Sequence, residues 1–205
     1  MRAVRAAVAL VALGAAALAA AATIEGFDVK KHKGIYSFEA QARLAATRES
    51  IYAVITDFDD NAYSRISRSY RESRYLEPAA DGTPIVYTRM EGCMKKRCIS
   101  FARTERLETD APRWMKSTAL PELSDFKHAM SEFVLEPDGD GTKLIYRTEI
   151  EPDFWVPPLI GPWFLKRTVS KGALSALTRI EGLARERDGR PPLEPVPAPP
   201  STQNR

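Results

Sequence analysis

Apolar residues change their spacing along this chain, and the changes divide it into strands and helices. Residues 35–43 (IYSFEAQAR) have the composition and bounded length of a strand. Beyond them the apolar positions recur at helical spacing, and Thr47 is well placed as the N-cap of this helix. The stripe consists of Ile51, Val54 and Ile55. Residues 57–61 (DFDDN) break the helix, and residues 62–67 predict a second short one.

Six further strands are predicted after this point, because short runs rich in β-branched and aromatic residues alternate with Gly, Pro and Asp. The runs are residues 70–77, 83–91, 97–108, 114–120, 127–136 and 143–151. Connections this short imply antiparallel hairpins. Pro157 and Pro158 then open a long helix that runs to about Arg187, and a helix of this length must cover one face of the sheet.

Two segments resemble a known superfamily. Residues 46–58 (ATRESIYAVITDF) are similar to the first helix of START-like proteins, and residues 133–146 (FVLEPDGDGTKLIY) to the hairpin that joins their last two strands. The order of elements over residues 34–186 resembles the same superfamily, which includes polyketide cyclase/dehydrase, lipid-transport and coenzyme Q-binding START proteins. The resemblance implies an α+β, helix-grip (START/Bet v 1-like) fold, in which a curved seven-stranded antiparallel sheet surrounds a long C-terminal helix.

The superfamily also implies a function. Its members bind sterols, phospholipids, quinones, polyketides or plant hormones in the cavity beneath the long helix, and some are enzymes. We therefore expect a hydrophobic small molecule or lipid as the partner of this chain.

The N-terminus has the three parts of a secretory signal peptide. Arg2 and Arg5 form a positive head, every residue from Ala6 to Ala22 is Ala, Val, Leu or Gly, and small residues close the run. The alternative is a membrane anchor, but a span needs about 20 strongly apolar residues and this run is mostly Ala. We expect cleavage after Ala22 and a periplasmic or secreted product.

The rest of the 205-residue chain divides by composition. Residues 23–33 contain the cluster Lys30, Lys31 and Lys33 and are interpreted as a solvated N-terminal arm, residues 34–187 as one START-like domain, and residues 188–205 as a disordered Pro-rich tail. Positive and negative residues are interspersed, so the net charge of +3 does not indicate nucleic-acid binding. We expect a monomer.

Cys93 and Cys98 are separated by four residues between two predicted strands. In an oxidising compartment this spacing favours a structural disulfide over a redox pair or half of a metal site. The two histidines, His32 and His128, have no metal-ligand spacing to the cysteines. We therefore predict no metal, no cofactor and no assigned catalytic residue.

Charged residues on the strands alternate in sign at every second position and are interpreted as a solvated ladder on the outer face. They are Arg89, Glu91, Arg103, Glu105, Arg147, Glu149 and Glu151. The complementary inward set is apolar with hydroxyls and suits a hydrophobic ligand with one polar end. It comprises Val86, Thr88, Met90, Phe133, Leu135, Leu144, Tyr146, Thr148 and Ile150.

The long helix carries an apolar stripe that includes Trp163 and Phe164, and Arg167 and Ser170 fall on the same side. Arg167 either extends its head to the rim or pairs with an acidic headgroup or internal carboxylate. Residues 154–163 (FWVPPLIGPW) form a lid that contacts a membrane transiently during ligand exchange, or a hydrophobic hinge that seats the helix.

The ligand-binding residues predicted from these patterns are Met90, Phe133, Tyr146, Thr148, Trp163, Phe164, Arg167 and Ser170. The leading hypothesis is a periplasmic carrier or sensor of a lipid-like molecule. The second is a cyclase, dehydratase or hydrolase acting on a hydrophobic substrate, which requires facing polar groups inside the cavity. The third is an interaction module that uses the Pro-rich tail and binds no ligand.

Overall fold

The computed structural model describes residues 22–94, 97–153 and 161–191, with backbone alone for Phe27, residues 93–94, Arg97 and residues 161–171. The strands are β1 (Thr23–His32), β2 (Ile35–Leu44), β3 (Tyr70–Leu76), β4 (Ile85–Met94), β5 (Arg97–Asp110), β6 (Trp114–Ala119), β7 (Phe126–Asp138) and β8 (Gly141–Pro152). The helices are α1 (Arg48–Ile55), α2 (Tyr63–Ile66) and α3 (Gly161–Arg187). Short 3-10 turns lie at Asp59–Asn61 and Pro121–Leu123.

All eight strands form one antiparallel sheet in the order β1-β2-β8-β7-β6-β5-β4-β3. Each strand from β3 to β8 pairs with its neighbour in sequence, as the short turns predict. The pairing of β2 with β8 joins the first part of the chain to the last. The predicted antiparallel helix-grip architecture is therefore confirmed.

The sheet has one strand more than the seven expected. Residues 23–32, which composition suggests are a solvated arm, pair with β2 along their length. Lys33 (φ 49°) and Gly34 (φ 94°) make the tight turn between the two strands, and positive φ at both central residues is the geometry that hairpin turns favour. The lysines that suggest an arm lie on or beside an edge strand, where charged side chains remain solvated.

The predicted first helix is confirmed in its cap and in its buried stripe. Thr47 is extended (φ −68°, ψ 150°) and its hydroxyl accepts a hydrogen bond from the Ser50 amide at 3.3 Å. Ile51, Val54 and Ile55 are the buried residues of α1. They belong to the main core cluster, to which α3 contributes Leu177, Ile180 and Ala184. Within the described residues, no helix has the length and apolar character that a bilayer crossing requires.

Gly141 is required where β8 passes the end of β2. A Cβ atom at this position would lie 2.5 Å from the carbonyl oxygen of Leu44, which is backbone and cannot rotate away. Gly182, in the exposed side of α3, would meet nothing within 4 Å. The structure therefore excludes a side chain at position 141 and leaves space for one at position 182.

We expect Gly141→Ala to lower the free energy of unfolding by about 1–3 kcal/mol, because the strands must separate to admit the methyl group. Gly182→Ala is the matched control and should raise it by up to about 1 kcal/mol, since alanine favours a helix interior. Urea denaturation of both variants measures these changes. Equal effects from the two substitutions would contradict the close approach of β8 to Leu44.

Candidate functional site

The strand register decides which side chains face the concave side of the sheet. Thr88 is opposite Arg103 and Val86 is opposite Glu105, and directly opposed residues share a face. Thr88 and Val86 are buried, as predicted for the inward set. Arg103 and Glu105 are buried with them, with 8% and 2% of their surface exposed.

The expectation that Arg103 and Glu105 belong to the outer ladder is therefore wrong. A shift by one residue moves every side chain of a strand to the other face, and β5 carries charged residues on both faces. The sequence does contain a signal for the inward face of β5. Phe101 lies two residues before Arg103 and Leu107 two residues after Glu105, so both apolar residues share the face of the pair. Phe101 is partly buried and Leu107 fully buried.

Arg103 and Glu105 form the charged centre of the site. The Arg103 Nε atom lies 3.6 Å from Oε2 of Glu105. The Ser117 hydroxyl donates to Oε1 of Glu105 at 2.9 Å. Within the described part of the chain, Arg103 Nε and the Thr88 hydroxyl oxygen are buried without a hydrogen-bond partner. Two polar atoms in this centre therefore have unused hydrogen-bonding capacity.

Hydroxyl groups continue the site across the next two strands. Ser131 lies opposite Ser117, and its hydroxyl is 3.1 Å from the Thr148 hydroxyl and 3.4 Å from that of Tyr146. The Thr148 hydroxyl also donates to the Met130 carbonyl at 2.7 Å. The Tyr146 ring contacts Phe133, with centroids 4.7 Å apart. We call Thr88, Arg103, Glu105, Ser117, Ser131, Tyr146 and Thr148 the polar belt.

Apolar residues bound the polar belt on both sides. On each of the strands β5 to β8, the inward residues run from apolar to polar and back to apolar. One apolar boundary is the main core, represented by Leu107, Met115, Leu135 and Leu144. The other is a second cluster formed by Phe101, Ala119, Phe126, Ala129 and Ile150. The concave face thus offers a polar band between two apolar surfaces.

Burial shifts the ionisation of the tyrosines beside the belt. Desolvation raises the pKa of Tyr70 to about 12, although the Arg103 guanidinium opposes the shift, and burial raises the pKa of Tyr63 well above its usual value. For Arg103, burial disfavours the charge, but the Glu105 carboxylate and neighbouring tyrosines outweigh it and raise the guanidinium pKa. At neutral pH these three groups hold their protons.

Four of the predicted ligand-binding residues have described side chains. Phe133, Tyr146 and Thr148 lie on the concave face at or beside the belt, and Met90 lies on β4 opposite Phe101 and Tyr70. Trp163, Phe164, Arg167 and Ser170 lie in the first turns of α3, where the backbone alone is described. Residues 154–160, in which a lid or hinge is predicted, lie outside the described residues, as does most of the signal segment.

The structure also places the two cysteines and His128. Cys93 and Cys98 are directly opposite each other in the β4–β5 hairpin. His128 is half-exposed, and its Nε2 atom lies 3.3 Å from Glu149, outside the polar belt. Among the described residues, no cluster of His, Cys, Asp and Glu could hold a metal ion.

The predicted outer positions of Arg89 and Arg147 are confirmed. Arg147 pairs with Glu39 at 3.4 Å and with Glu132 at 3.1 Å, and Arg89 pairs with Glu72 at 3.2 Å. Their side chains are partly exposed, so each ion pair contributes little to stability.

Comparison with known proteins identifies the fold. No protein-family model matches the sequence, and no curated protein matches it significantly. A START superfamily protein from Mycobacterium smegmatis superposes with a TM-score of 0.57 at 19% identity, over 74% of this chain and 98% of that protein.

Two further structures agree. The Zhui aromatase/cyclase from Streptomyces sp. R1128 gives a TM-score of 0.57 at 17% identity, over 75% of this chain and 96% of that one. A STAR-related lipid transfer protein from Xanthomonas axonopodis gives 0.55 at 19% identity, over 78% and 99%. The chain has the START-like, helix-grip fold.

We expect Arg103→Met to lower the free energy of unfolding by about 3–5 kcal/mol, because it leaves the buried Glu105 charge without a partner. The double variant Arg103→Met/Glu105→Leu should recover most of this loss. Arg89→Met, which removes the same cation from the outer face, should change stability by at most about 0.5 kcal/mol. Urea denaturation measures all three, and a double variant as unstable as the single one would contradict coupling between the pair.

Proposed function

We propose that this chain is an exported START-like protein that carries a hydrophobic, lipid-like molecule between the concave face of the sheet and α3. The observation that carries the proposal is the polar belt between two apolar clusters. A ligand that fits this face is mainly apolar and carries an oxygen acceptor along its length. Hydrogen bonds at the belt then fix its position, while apolar burial supplies most of the affinity.

The unpartnered atoms of the belt define that acceptor more closely. Arg103 Nε is a donor, and the Thr88 hydroxyl can rotate to donate as well. A buried donor without a partner costs about 1–3 kcal/mol, and a ligand oxygen would recover that cost. A hydroxyl, carbonyl or carboxylate oxygen satisfies both atoms, whereas a pure hydrocarbon satisfies neither.

The proteins that share the fold support this class of function. One is named a START superfamily protein and another a STAR-related lipid transfer protein. A third is named an aromatase/cyclase, so the same fold serves catalysis elsewhere.

A second candidate is an enzyme that transforms a hydrophobic substrate at the same belt. The observation in its favour is the buried Arg103–Glu105 pair with Ser117 bonded to the carboxylate, since such a reaction requires facing polar groups. Binding and catalysis differ in one outcome. An enzyme returns a ligand of changed mass or structure, and a Glu105→Gln variant retains the ligand unchanged.

Export remains part of the proposal. Residues 1–22 have the head, apolar run and small-residue end of a signal peptide, and the periplasm or the exterior is the expected destination. The facing positions of Cys93 and Cys98 support a structural disulfide in such a compartment. Directly opposed residues in an antiparallel pair have Cα atoms about 4.5–5.5 Å apart, within the range that a disulfide spans.

Native mass spectrometry of the exported protein should show a retained hydrophobic adduct. Thr88→Val removes one hydroxyl and should weaken ligand retention about 5–10-fold, because the belt then makes one hydrogen bond fewer to the ligand oxygen. Arg89→Met serves as the control on the opposite face and should retain the adduct. A clean mass without adduct, together with no uptake from lipid extracts, would contradict the carrier function.

The disulfide is tested separately. We expect the intact mass of the exported protein to be lower than that of the fully reduced chain by two hydrogen atoms, and Cys98→Ser to abolish the difference. Non-reducing peptide mapping should join the peptides that contain Cys93 and Cys98. Two alkylated, free thiols in protein taken directly from the periplasm would contradict the pairing.

A further inference from the structure

Glu181 is a carboxylate in the interior of the protein. It lies on the buried side of α3 with 0% of its surface exposed. Its Oε2 atom accepts a hydrogen bond from the Ala22 nitrogen at 2.8 Å, and its Oε1 atom accepts one from the Ala45 nitrogen at 2.5 Å. Burial raises the pKa of the carboxyl group, and these two bonds and Arg185 oppose the shift.

Glu181 has no salt bridge within the described residues. The neighbouring cation is Arg185, but its donors go elsewhere: Nη1 to the Ala45 carbonyl at 2.9 Å, and Nε and Nη2 to the Pro191 carbonyl at 3.1 and 2.8 Å. The Arg190 guanidinium likewise donates to the Ala45 and Asp140 carbonyls. Both carboxylate oxygens accept N–H bonds, which favours the ionised form. A buried negative charge normally requires a paired cation.

The group that faces Oε2 is the nitrogen of Ala22, at the point where the proposed signal segment ends. Ala22 is itself a core residue, 9% exposed, and belongs to the main apolar cluster. Ala19 and Ala21 precede it and form an A-x-A sequence, the small-residue pattern at which export peptidases cleave. Cleavage after Ala22, the end of the run of small residues, would remove both this core side chain and the donor to Glu181.

We propose that processing occurs between Ala21 and Ala22, and that the new α-ammonium group of Ala22 is the missing cation of Glu181. An export-associated peptidase adds water across this peptide bond. The bond between the Ala21 carbonyl carbon and the Ala22 nitrogen breaks. The carbonyl carbon takes the oxygen of water and becomes the carboxylate of the released leader, and the Ala22 nitrogen takes both protons of water and becomes an ammonium group. An amide donor at 2.8 Å thereby becomes a charged donor at the same carboxylate oxygen, and charge-assisted hydrogen bonds are about twice as strong as neutral ones.

The inference rests on the proposed export and deepens it, because it makes Glu181 a recognition site for the mature N-terminus. The ion pair joins the start of β1 to α3, so it stabilises the packing of the first strand against the helix after the leader has left. Unprocessed chain has an uncharged amide at this position and lacks the ion pair.

The test is N-terminal sequencing of protein recovered from the compartment to which it is exported, followed by acylation of its α-amine near neutral pH. We expect Ala22 as the first residue and at least a tenfold slower acylation of its amine in the folded protein than in urea. Glu181→Gln should restore much of the reactivity. Glu186→Gln, an exposed carboxylate on the same helix, is the matched control and should leave the slow rate unchanged.

The outcomes separate the two levels of the proposal. Thr23 or another residue at the N-terminus would overturn the processing site and leave export intact. A chain that keeps its leader would overturn both. Ala22 at the N-terminus with an amine as reactive as in urea would overturn the ion pair, and this measurement on the unaltered protein does not depend on the folding of Glu181→Gln.

Discussion

The attachment of α3 to the turn between β2 and α1 is the constraint on which the rest of the structure depends. Three charged residues near the end of the helix form this attachment. Glu181 accepts a hydrogen bond from the Ala45 nitrogen, and Arg185 donates one to the Ala45 carbonyl. Asp188 accepts hydrogen bonds from the Thr47 nitrogen and hydroxyl at 2.9 and 2.7 Å. Asp188 also accepts from the Ser50 hydroxyl. Although burial opposes it, these hydrogen bonds lower the pKa of Asp188. One set of contacts therefore caps α1 and holds α3 over the concave face.

The concave face holds a buried ion pair because each charge has partners there. Charges leave water at a large cost, and only a close partner and further hydrogen bonds offset it. Glu105 has both, in Arg103 and Ser117. The apolar clusters on either side keep the pair away from solvent, which strengthens its attraction. A ligand that lies along the sheet must therefore match a polar band between two apolar ends.

Local patterns predict the elements of this fold, but not the contacts that assemble the site. The Thr47 cap follows from a hydroxyl four residues before the first residue of a helical stripe, and the structure confirms it. Thr47 also donates a hydrogen bond to Asp188, a residue far away in sequence, and no local pattern predicts this contact. The predicted face of Arg103 and Glu105 is wrong for another reason. Strand β5 is polar on both faces, so its period-two alternation does not identify the buried face. Their burial depends on the register with Val86 and Thr88.

Three donors at the site are poorly suited to exchanging protons near neutral pH. A general acid or base works best when its pKa lies near the operating pH. The pKa of Arg103 is raised by Glu105, and those of Tyr63 and Tyr70 by burial, so all three retain their protons at neutral pH. Groups of this kind donate hydrogen bonds without exchanging protons. They suit an acceptor oxygen on a bound ligand, which is what the proposed carrier function requires.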